Sequence, residues 1–263
     1  MQPFHHETPS TLADALSAAR DPGARPLAGG QSLLPSMKLG LSAPERLVDL
    51  AGIAALRGIA LEGGALRIGA MTCHADVAAS AEVRRALPAL ADLAGQIGDR
   101  QVRNRGTLGG SLANNDPAAC YPAAVLGLGA TVHTDRRTIA ADDFFLGLYA
   151  TALAEGELIT AVGFPLPSRA GWIKFKQPAS RFSLVGVFVS QGPQGVRVAV
   201  TGAGPGVFRA TALEERLARE WSPTALDGAR VEAEGLNSDL HGSAEYRAAL
   251  IPVLAARAVA AAR

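Results

Sequence analysis

Two glycine pairs, each followed by a hydroxyl-bearing residue, are the positions of this sequence whose residue types and spacing could do chemistry. The first motif reads AGGQSL and the second reads TLGGS. Glycine permits a positive φ and lets a ligand approach the backbone where a Cβ would block it. Consecutive free N–H groups in such loops bind anions, and a serine or threonine hydroxyl adds a donor. The positions expected to contact a ligand are Ala28, Gly29, Gly30, Gln31, Ser32, Leu33, Thr107, Gly109, Gly110 and Ser111.

Two such loops could hold the two phosphates of a dinucleotide from opposite sides, and we predict this role for them. Each pair taken alone is equally compatible with a plain turn. Neither motif has the GxGxxG spacing of the dinucleotide fingerprint, and no GxxxxGK[ST] phosphate loop occurs. The prediction therefore depends on finding both loops together in one fold.

The residues around the first motif alternate between helix and strand patterns. A helix is predicted to begin near Pro9, with Thr8 or Ser10 as its cap. A short apolar piece leads into Gly29, a short helix follows at 33–39, and a buried strand follows at 46–50. This order predicts a small parallel α/β unit.

The second motif lies among further helices and short strands. The sequence predicts two strands around a turn at 62–64, a helical region at 72–97 interrupted near Pro88, and a helix beginning at Asp116. Strands are predicted at 130–134, 138–140 and 158–164.

The Pro/Ser segment Pro165–Ser168 predicts a domain boundary. Beyond it the pattern changes to successive strands at 172–177, 184–191 and 196–201, with a turn at 192–195 between the last two. Helices are predicted at about 210–219, 224–234 and 244–262. The last part of the chain is therefore expected to form a three-stranded antiparallel sheet covered by helices.

Composition excludes several classes of protein. The formal net charge is +1 and the two signs are interspersed, so we expect no nucleic-acid partner. No apolar run reaches the roughly 18 residues of a membrane span, and the start lacks a signal-peptide pattern, so a cytoplasmic protein is expected. Cys73 and Cys120 have no CxxC spacing and cannot by themselves hold an iron–sulfur cluster or a structural zinc. Any metal centre should lie on another chain.

Further blocks follow the two motifs in a characteristic order. LVDL stands at 47–50, IGAMT at 68–72 and QVRNRGTLGGSLAN at 101–114, followed by DPAA at 116–119, EGELI at 155–159 and GSAEYR at 242–247. With AGGQSL, this series resembles the FAD-binding subunit of the molybdenum hydroxylases, a family that includes the medium subunit of aerobic carbon monoxide dehydrogenase and the flavin domain of xanthine dehydrogenase. The resemblance covers essentially the whole chain.

The resemblance implies an α+β fold of the PCMH type. Residues 1–166 would form the FAD-binding domain, with two α/β subdomains at about 1–55 and 56–166. Residues 167–263 would form a C-terminal α+β domain of the carbon monoxide dehydrogenase flavoprotein type, built on the three-stranded antiparallel sheet with helices.

The resemblance also implies the site. The two glycine loops would bind the FAD pyrophosphate, Thr72 would lie close to the flavin, and Asn114 would continue the second loop. The C-terminal domain would lend side chains to the ring system from the segment that holds Lys174, Lys176, Arg181 and Phe182. A cation there would stabilise the reduced, anionic ring, and Phe182 could cover the ring face.

Two positions depart from the family pattern. Relatives commonly have Asp at the position of Cys120, where it contacts the cofactor, and often have Asp at the position of Arg181. Cys120 is a poor hydrogen-bond acceptor, so water or Asp116 would have to take over its contact. Asp116 followed by Pro117 is equally the pattern of a helix N-cap.

The implied function is electron relay without substrate chemistry on this chain. Molybdopterin would lie on a large partner subunit and [2Fe-2S] clusters on a small one, in a heterotrimer or a dimer of heterotrimers. No residue here is predicted to be catalytic, and His74, His133 and His241 are interpreted as surface or structural residues. The alternatives are a free-standing FAD-dependent oxidoreductase and a non-catalytic nucleotide-binding scaffold.

Overall fold

The computed structural model describes residues 1–263 and has three parts, each built around its own sheet. In the first part, strands β1 (His5–Glu7), β2 (Ala24–Leu27) and β3 (Arg46–Asp49) form a parallel sheet in the order β1-β3-β2. Helices α1 (Leu12–Ala18) and α2 (Leu33–Lys38) connect them. The predicted parallel α/β unit is confirmed, with one strand, β1, that the sequence pattern did not indicate.

The second part is an antiparallel sheet accompanied by seven helices. Its strands are β4 (Ile59–Glu62), β5 (Ala65–Gly69), β6 (Thr131–Thr134), β7 (Thr138–Ala140) and β10 (Ile159–Pro165), in the order β4-β5-β10-β6-β7. Its helices are α3 (His74–Ala79), α4 (Ala81–Ala86), α5 (Pro88–Gly95), α6 (Arg100–Arg105), α7 (Leu108–Asn114), α8 (Tyr121–Gly127) and α9 (Ala141–Phe144). A hairpin of β8 (Phe145–Gly147) and β9 (Ala150–Thr151) projects from it.

The third part is the C-terminal sheet. Its long strands are β11 (Arg169–Lys176), β12 (Ser183–Gly192) and β13 (Gly195–Thr201), all antiparallel as predicted. A fourth strand of two residues, β14 (Phe208–Arg209), extends the sheet at the β13 edge. Helices α10 (Thr211–Arg219) and α11 (Ala244–Ala261) cover it. The three predicted strands are present, and the sheet has one short strand more than the sequence indicated.

Three local predictions are wrong. The first helix is capped by Thr11, whose hydroxyl accepts the backbone N–H of Asp14, and not by Thr8 or Ser10. The predicted helix at 224–234 is only a 3-10 turn at Pro223–Leu226, followed by irregular chain. Asp116 does not begin a helix but a turn, in which its Oδ1 accepts a 2.8 Å hydrogen bond from Ala118 N. The helix starts five residues later, at Tyr121.

The second and third parts share a core. Trp172 and Phe188 of the C-terminal sheet belong to the same buried cluster as Leu90 and Val125 of the second part. Gly127 of α8 lies so close to β12 that an added Cβ would stand 3.0 Å from Phe188. This packing fixes the C-terminal sheet against the helices that carry the second glycine loop. None of the helices combines the length and the apolar composition that a membrane span requires.

Candidate functional site

One large cavity opens where the three parts of the structure meet. Its volume is about 740 Å³, within the range of small-molecule and cofactor sites. Both glycine loops line it, together with segments from all three sheets. Of the predicted contact residues, those on its wall are Ala28, Gly29, Gly30, Gln31, Ser32, Leu33, Thr107, Gly109, Gly110, Ser111, Asn114, Asp116, Cys120 and Phe182.

The first glycine loop follows the carboxyl end of β2 and presents unpaired donors. Gly30 adopts a positive φ of 71°, which turns the chain into α2. None of the backbone N–H groups of residues 29–33 donates to an acceptor within the protein. Exposed consecutive N–H groups of this kind bind phosphate oxygens. The loop therefore has the donor set that an anion requires.

The two glycine loops touch each other at Gly29. A Cβ on Gly29 would lie 2.2 Å from the carbonyl oxygen of Arg105 and 2.6 Å from the Cα of Gly106. A Cβ on Gly110 would lie 3.0 Å from the Cβ of Ala28. Only glycine at these positions permits this approach, so the paired glycines bring the loops together as well as opening them to a ligand.

The second glycine loop is different because its N–H groups are already used. Leu108 N donates to Thr72 O, Gly109 N to Ala70 O, and Gly110 N to the hydroxyl of Thr107. Ser111 N donates to Thr107 O as the first turn of α7. The expectation that both loops offer free backbone donors is therefore wrong for the second loop. It contributes hydroxyl groups and a closely approachable backbone surface.

Thr72 supports the second loop and does not line the cavity. It is 4% exposed, and its hydroxyl donates to Gly58 O at 3.2 Å. Its carbonyl accepts the N–H of Leu108. The backbone of the next residue, Cys73, pairs with that of Thr107 in an isolated antiparallel β-bridge. Because the Thr72 side chain does not line the cavity, it is not placed to make the predicted direct contact with the flavin.

Asp116 and its neighbours form another wall. Asn115 is buried in a left-handed conformation, and its Nδ2 donates to Gly147 O and Ala150 O, which fastens the β8–β9 hairpin. Asp116 Oδ2 accepts a long, 3.4 Å hydrogen bond from the hydroxyl of Tyr149, a residue of that hairpin. Burial, and then the Asp116 charge, raise the pKa of Tyr149. The hairpin is thus held beside the cavity by the turn that follows α7.

Three cations converge on the segment between α5 and α6. Lys174 Nζ donates to Gln96 O at 3.0 Å, and Arg181 Nη1 donates to Gly98 O at 3.4 Å. Arg103 Nη1 donates to Ile97 O and Gly98 O. None of the three forms a salt bridge with a carboxylate. This group, which we call the cation cluster, gives one end of the cavity an unneutralised positive charge.

Cys120 lies at the same end. Its Sγ accepts a 3.3 Å hydrogen bond from Lys174 Nζ and lies 3.6 Å from the hydroxyl of Ser183. Cys120 is 5% exposed and lines the cavity. The thiol therefore helps to place the Lys174 ammonium, which the sequence did not reveal.

Lys176 does not reach the cavity, although Lys174 does. In a regular strand, residues two apart share one face. Here the register of β11 against β12 shifts between Phe175 and Lys176, and Lys176 is exposed. Phe182 lines the cavity and is 49% exposed, beside Arg181, which has a positive φ of 63°.

The loop at 154–157 also lines the cavity, although the sequence did not indicate it as part of the site. Glu157 anchors it from beneath. Its carboxylate accepts hydrogen bonds from Arg137 Nε and Nη2 at 3.0 Å, from Thr134 Oγ1 at 2.7 Å and from Ala154 N at 2.8 Å. The EGELI block contains Glu157, but its side-chain partners Arg137 and Thr134 lie 20 and 23 residues away, so only the fold reveals the anchor.

This anchor gives the protein a specific acid sensitivity. The Arg137 hydrogen bonds, with those from Ala154 and Thr134, lower the pKa of Glu157 to about 2 from 4.5. The stabilisation is present above pH 4.5 and is lost as the pH falls from there towards 2. Because the Arg137 side chain is half exposed, water screens this pair, and the stabilisation amounts to about 1–2 kcal/mol. We expect Glu157→Gln to lower the free energy of unfolding at pH 7 by roughly this amount and by much less near pH 3, as measured by urea unfolding.

Glu155→Gln is the control, because Glu155 is exposed on the same loop. It should leave the unfolding curve unchanged at both pH values. An equal loss of stability for Glu157→Gln at pH 7 and pH 3 would contradict the proposed role of the carboxylate charge.

The residues of the cavity fit a dinucleotide such as FAD. The unpaired N–H groups of residues 29–33 suit a diphosphate, and the glycine contacts show a cradle that a Cβ would fill. The cation cluster suits a group that becomes negatively charged on reduction. The donor set and the volume of the cavity both suit a dinucleotide.

Comparison with known proteins gives the same answer. The family "FAD binding domain in molybdopterin dehydrogenase" matches residues 2–167, and "CO dehydrogenase flavoprotein C-terminal domain" matches residues 183–262. The carbon monoxide dehydrogenase medium chain of Hydrogenophaga pseudoflava is 36% identical over 98% of this chain and 96% of its own length. The nicotine 6-hydroxylase medium subunit of Paenarthrobacter nicotinovorans is 37% identical over 97% and 96%.

A solved structure extends the likeness to three dimensions. Reconstituted CO dehydrogenase from Oligotropha carboxidovorans superimposes with a TM-score of 0.90 at 33% identity, over 99% of this chain and 98% of that one. The resemblance predicted from the motifs is thereby confirmed, as are the fold class and FAD as the cofactor. This chain belongs to the FAD-binding medium subunits of the molybdenum hydroxylase family.

Proposed function

We propose that this chain is the electron-relay subunit of a heterotrimeric molybdenum hydroxylase. Electrons would arrive from the [2Fe-2S] clusters of a small partner subunit and would come originally from a large molybdopterin subunit that acts on the substrate. The matches to medium chains over almost their whole length support this assembly. The dimer of heterotrimers and the cytoplasmic location stay predictions.

The free N–H groups of the first loop are the observation that carries the cofactor-binding part of the proposal. They would hold the FAD diphosphate, while Thr107 and Ser111 of the second loop would donate from hydroxyl groups across the cavity. Asn114, Asp116 and Cys120 would line the path towards the ring, and Phe182 would cover one ring face. Residues 1–166 would form the binding domain and residues 167–263 would close it over the ring.

FAD, when bound, supplies one- and two-electron redox chemistry. The chain's own residues bind it, orient it and set the charge around it. Lys174 is the cation best placed to do so, since it lines the cavity and is held by Gln96 O and Cys120 Sγ without a carboxylate partner. Lys176, named with it from the sequence, is better assigned to the surface.

The test of the proposed function is a visible absorption spectrum of the purified chain, with the released cofactor identified after denaturation. Stoichiometric FAD, reduced only when the iron–sulfur and molybdopterin subunits and their substrate are added, supports electron relay. Reduction of FAD by a small substrate with this chain alone would indicate the free-standing oxidoreductase. Absence of FAD, both from the isolated chain after reconstitution and from the assembled complex, would indicate the scaffold alternative.

The charge of Lys174 should be visible in the redox potential. Removing one positive charge near the ring is expected to lower the midpoint potential of bound FAD by about 30–60 mV in Lys174→Gln. Lys176→Gln is the matched control, because it removes the same charge from the same strand outside the cavity. Equal shifts in the two variants, measured by spectroelectrochemistry, would rule out a specific role for Lys174.

A further inference from the structure

His74 is a buried histidine on the wall of the FAD cavity that the proposed function leaves unused. It is 4% exposed, and it is the first residue of α3. Its backbone N–H donates to Gly106 O at 3.0 Å. A Cβ on Gly106 would lie 2.6 Å from His74 Nε2, so this nitrogen faces the start of the loop.

The imidazole has no hydrogen-bond partner in the protein. Nδ1 is buried and has no hydrogen-bond partner, and the side-chain hydrogen bonds around the second glycine loop, which are made by Thr72 and Thr107, do not involve Nε2. Burial, and then the charge of Arg103, lower the pKa of His74 to about 4. At neutral pH the ring is therefore uncharged, with one N–H donor and one acceptor. Polar groups are seldom buried without a partner, and an exception calls for a ligand, an ion or a water.

The position of the His74 ring indicates which of these three partners, a ligand, an ion or a water, is expected. His74 touches Gly106, where the two glycine loops meet, and lies near Arg103 of the cation cluster. It therefore stands between the part of the cavity suited to a diphosphate and the part suited to the redox ring. Because Nδ1 is enclosed, Nε2 is the nitrogen that a ligand can approach.

We infer that His74 is a cofactor-contacting residue whose Nε2–H donates a hydrogen bond to an oxygen in the ribityl–diphosphate stretch of FAD. This assignment rests on the proposed function. In this tautomer Nδ1 carries no hydrogen and is an acceptor. A buried acceptor without a partner is less costly than a buried N–H without one. An uncharged donor suits this place, since the anionic part of the cofactor would face the free N–H groups of the first loop.

Tyr121 provides a matched comparison. Its hydroxyl is also buried without a partner, and its ring centroid lies 5.3 Å from that of His74. Tyr121 does not line the cavity. Replacing either residue by Phe removes one unpaired polar group from the same region, but only His74→Phe removes a group that the cofactor can reach.

The experiment compares FAD affinity with the thermal stability of the FAD-free chain. We expect His74→Phe to weaken FAD binding about 10-fold, the value of one hydrogen bond, without lowering the melting temperature of the FAD-free chain. Tyr121→Phe should leave FAD affinity within about two-fold of the parent and should not lower that melting temperature. Undiminished FAD affinity in His74→Phe, or an equal loss in Tyr121→Phe, would overturn the inference.

A second measurement uses the unaltered chain and so does not depend on whether a variant folds. The ¹⁵N resonances of the imidazoles should show an Nε2–H tautomer of His74, with Nε2 shifted on addition of FAD. An unchanged His74 signal in a chain that binds FAD would contradict the contact alone. Failure of the parent chain and of its assembled complex to bind FAD would instead contradict the proposed function.

Discussion

Gly29→Ala is expected to abolish tight FAD binding, with affinity falling at least about 100-fold, or roughly 3 kcal/mol. The new methyl group would lie 2.2 Å from Arg105 O and 2.6 Å from Gly106 Cα, both of them backbone atoms that cannot swing aside. The two loops must therefore separate. The free N–H groups of residues 29–33 would then no longer face the second loop across the cavity.

The measurement is FAD content after reconstitution, with affinity from fluorescence titration. Gly95→Ala is the control, since Gly95 ends α5, does not line the cavity, and would place its Cβ 3.9 Å from the nearest neighbour, Ala78. That variant should bind FAD like the parent chain. If Gly29→Ala retained FAD to the same extent as Gly95→Ala, the close approach of the loops would not be required for FAD binding.

Arg247→Met is expected to give the largest loss of stability, about 2–5 kcal/mol in the free energy of unfolding. Arg247 is 3% exposed, and its Nη1 donates to Leu184 O at 2.9 Å and to Gly202 O at 3.0 Å. Its Nη2 donates to both oxygens of Asp239. Methionine fills similar space but leaves the two buried carbonyl oxygens without donors.

The same substitution should also reduce FAD content. Gly202 N donates to Pro117 O, and the hydroxyl of Thr201 shares its one hydrogen between Pro117 O and Ala119 O. Through these bonds the end of β13 holds the segment that leads from Asp116 to Cys120 along the cavity wall. Loosening Gly202 is therefore expected to disturb that wall.

Two controls separate burial from charge in this prediction. Arg263→Met removes an exposed arginine that pairs with Asp92, and it should cost less than about 1 kcal/mol. Asp239→Asn removes the half-exposed partner while Arg247 keeps its carbonyl contacts, and it should cost about 1 kcal/mol. Urea unfolding measures all three. Similar losses for Arg247→Met and Arg263→Met would show that burial of Arg247 does not matter.

The sequence by itself was sufficient for the order of elements around the glycine loops and for the family. Gly29 and Gly30 after an apolar strand, and Thr107 ahead of Gly109 and Gly110, are local patterns. A capping hydroxyl and a positive φ need only neighbours in the chain, and the Thr107 cap and the Gly30 turn are both present. Blocks of this kind also identify the family, and with it the FAD cofactor, without any knowledge of packing.

Only the tertiary structure decided which groups of those patterns remain available to a ligand. The two glycine loops look equivalent in sequence, but pairing with Ala70 and Thr72 consumes the donors of the second loop and leaves those of the first free. Lys174 and Lys176 would share a face of a regular strand, but only Lys174 reaches the cavity, and Lys176 is exposed at the end of β11. His74 has no local signal of burial. Its environment is made by residues about 30 and 50 positions away, Arg103, Gly106 and Tyr121, and distances of that kind along the chain are set by packing and not by local propensity.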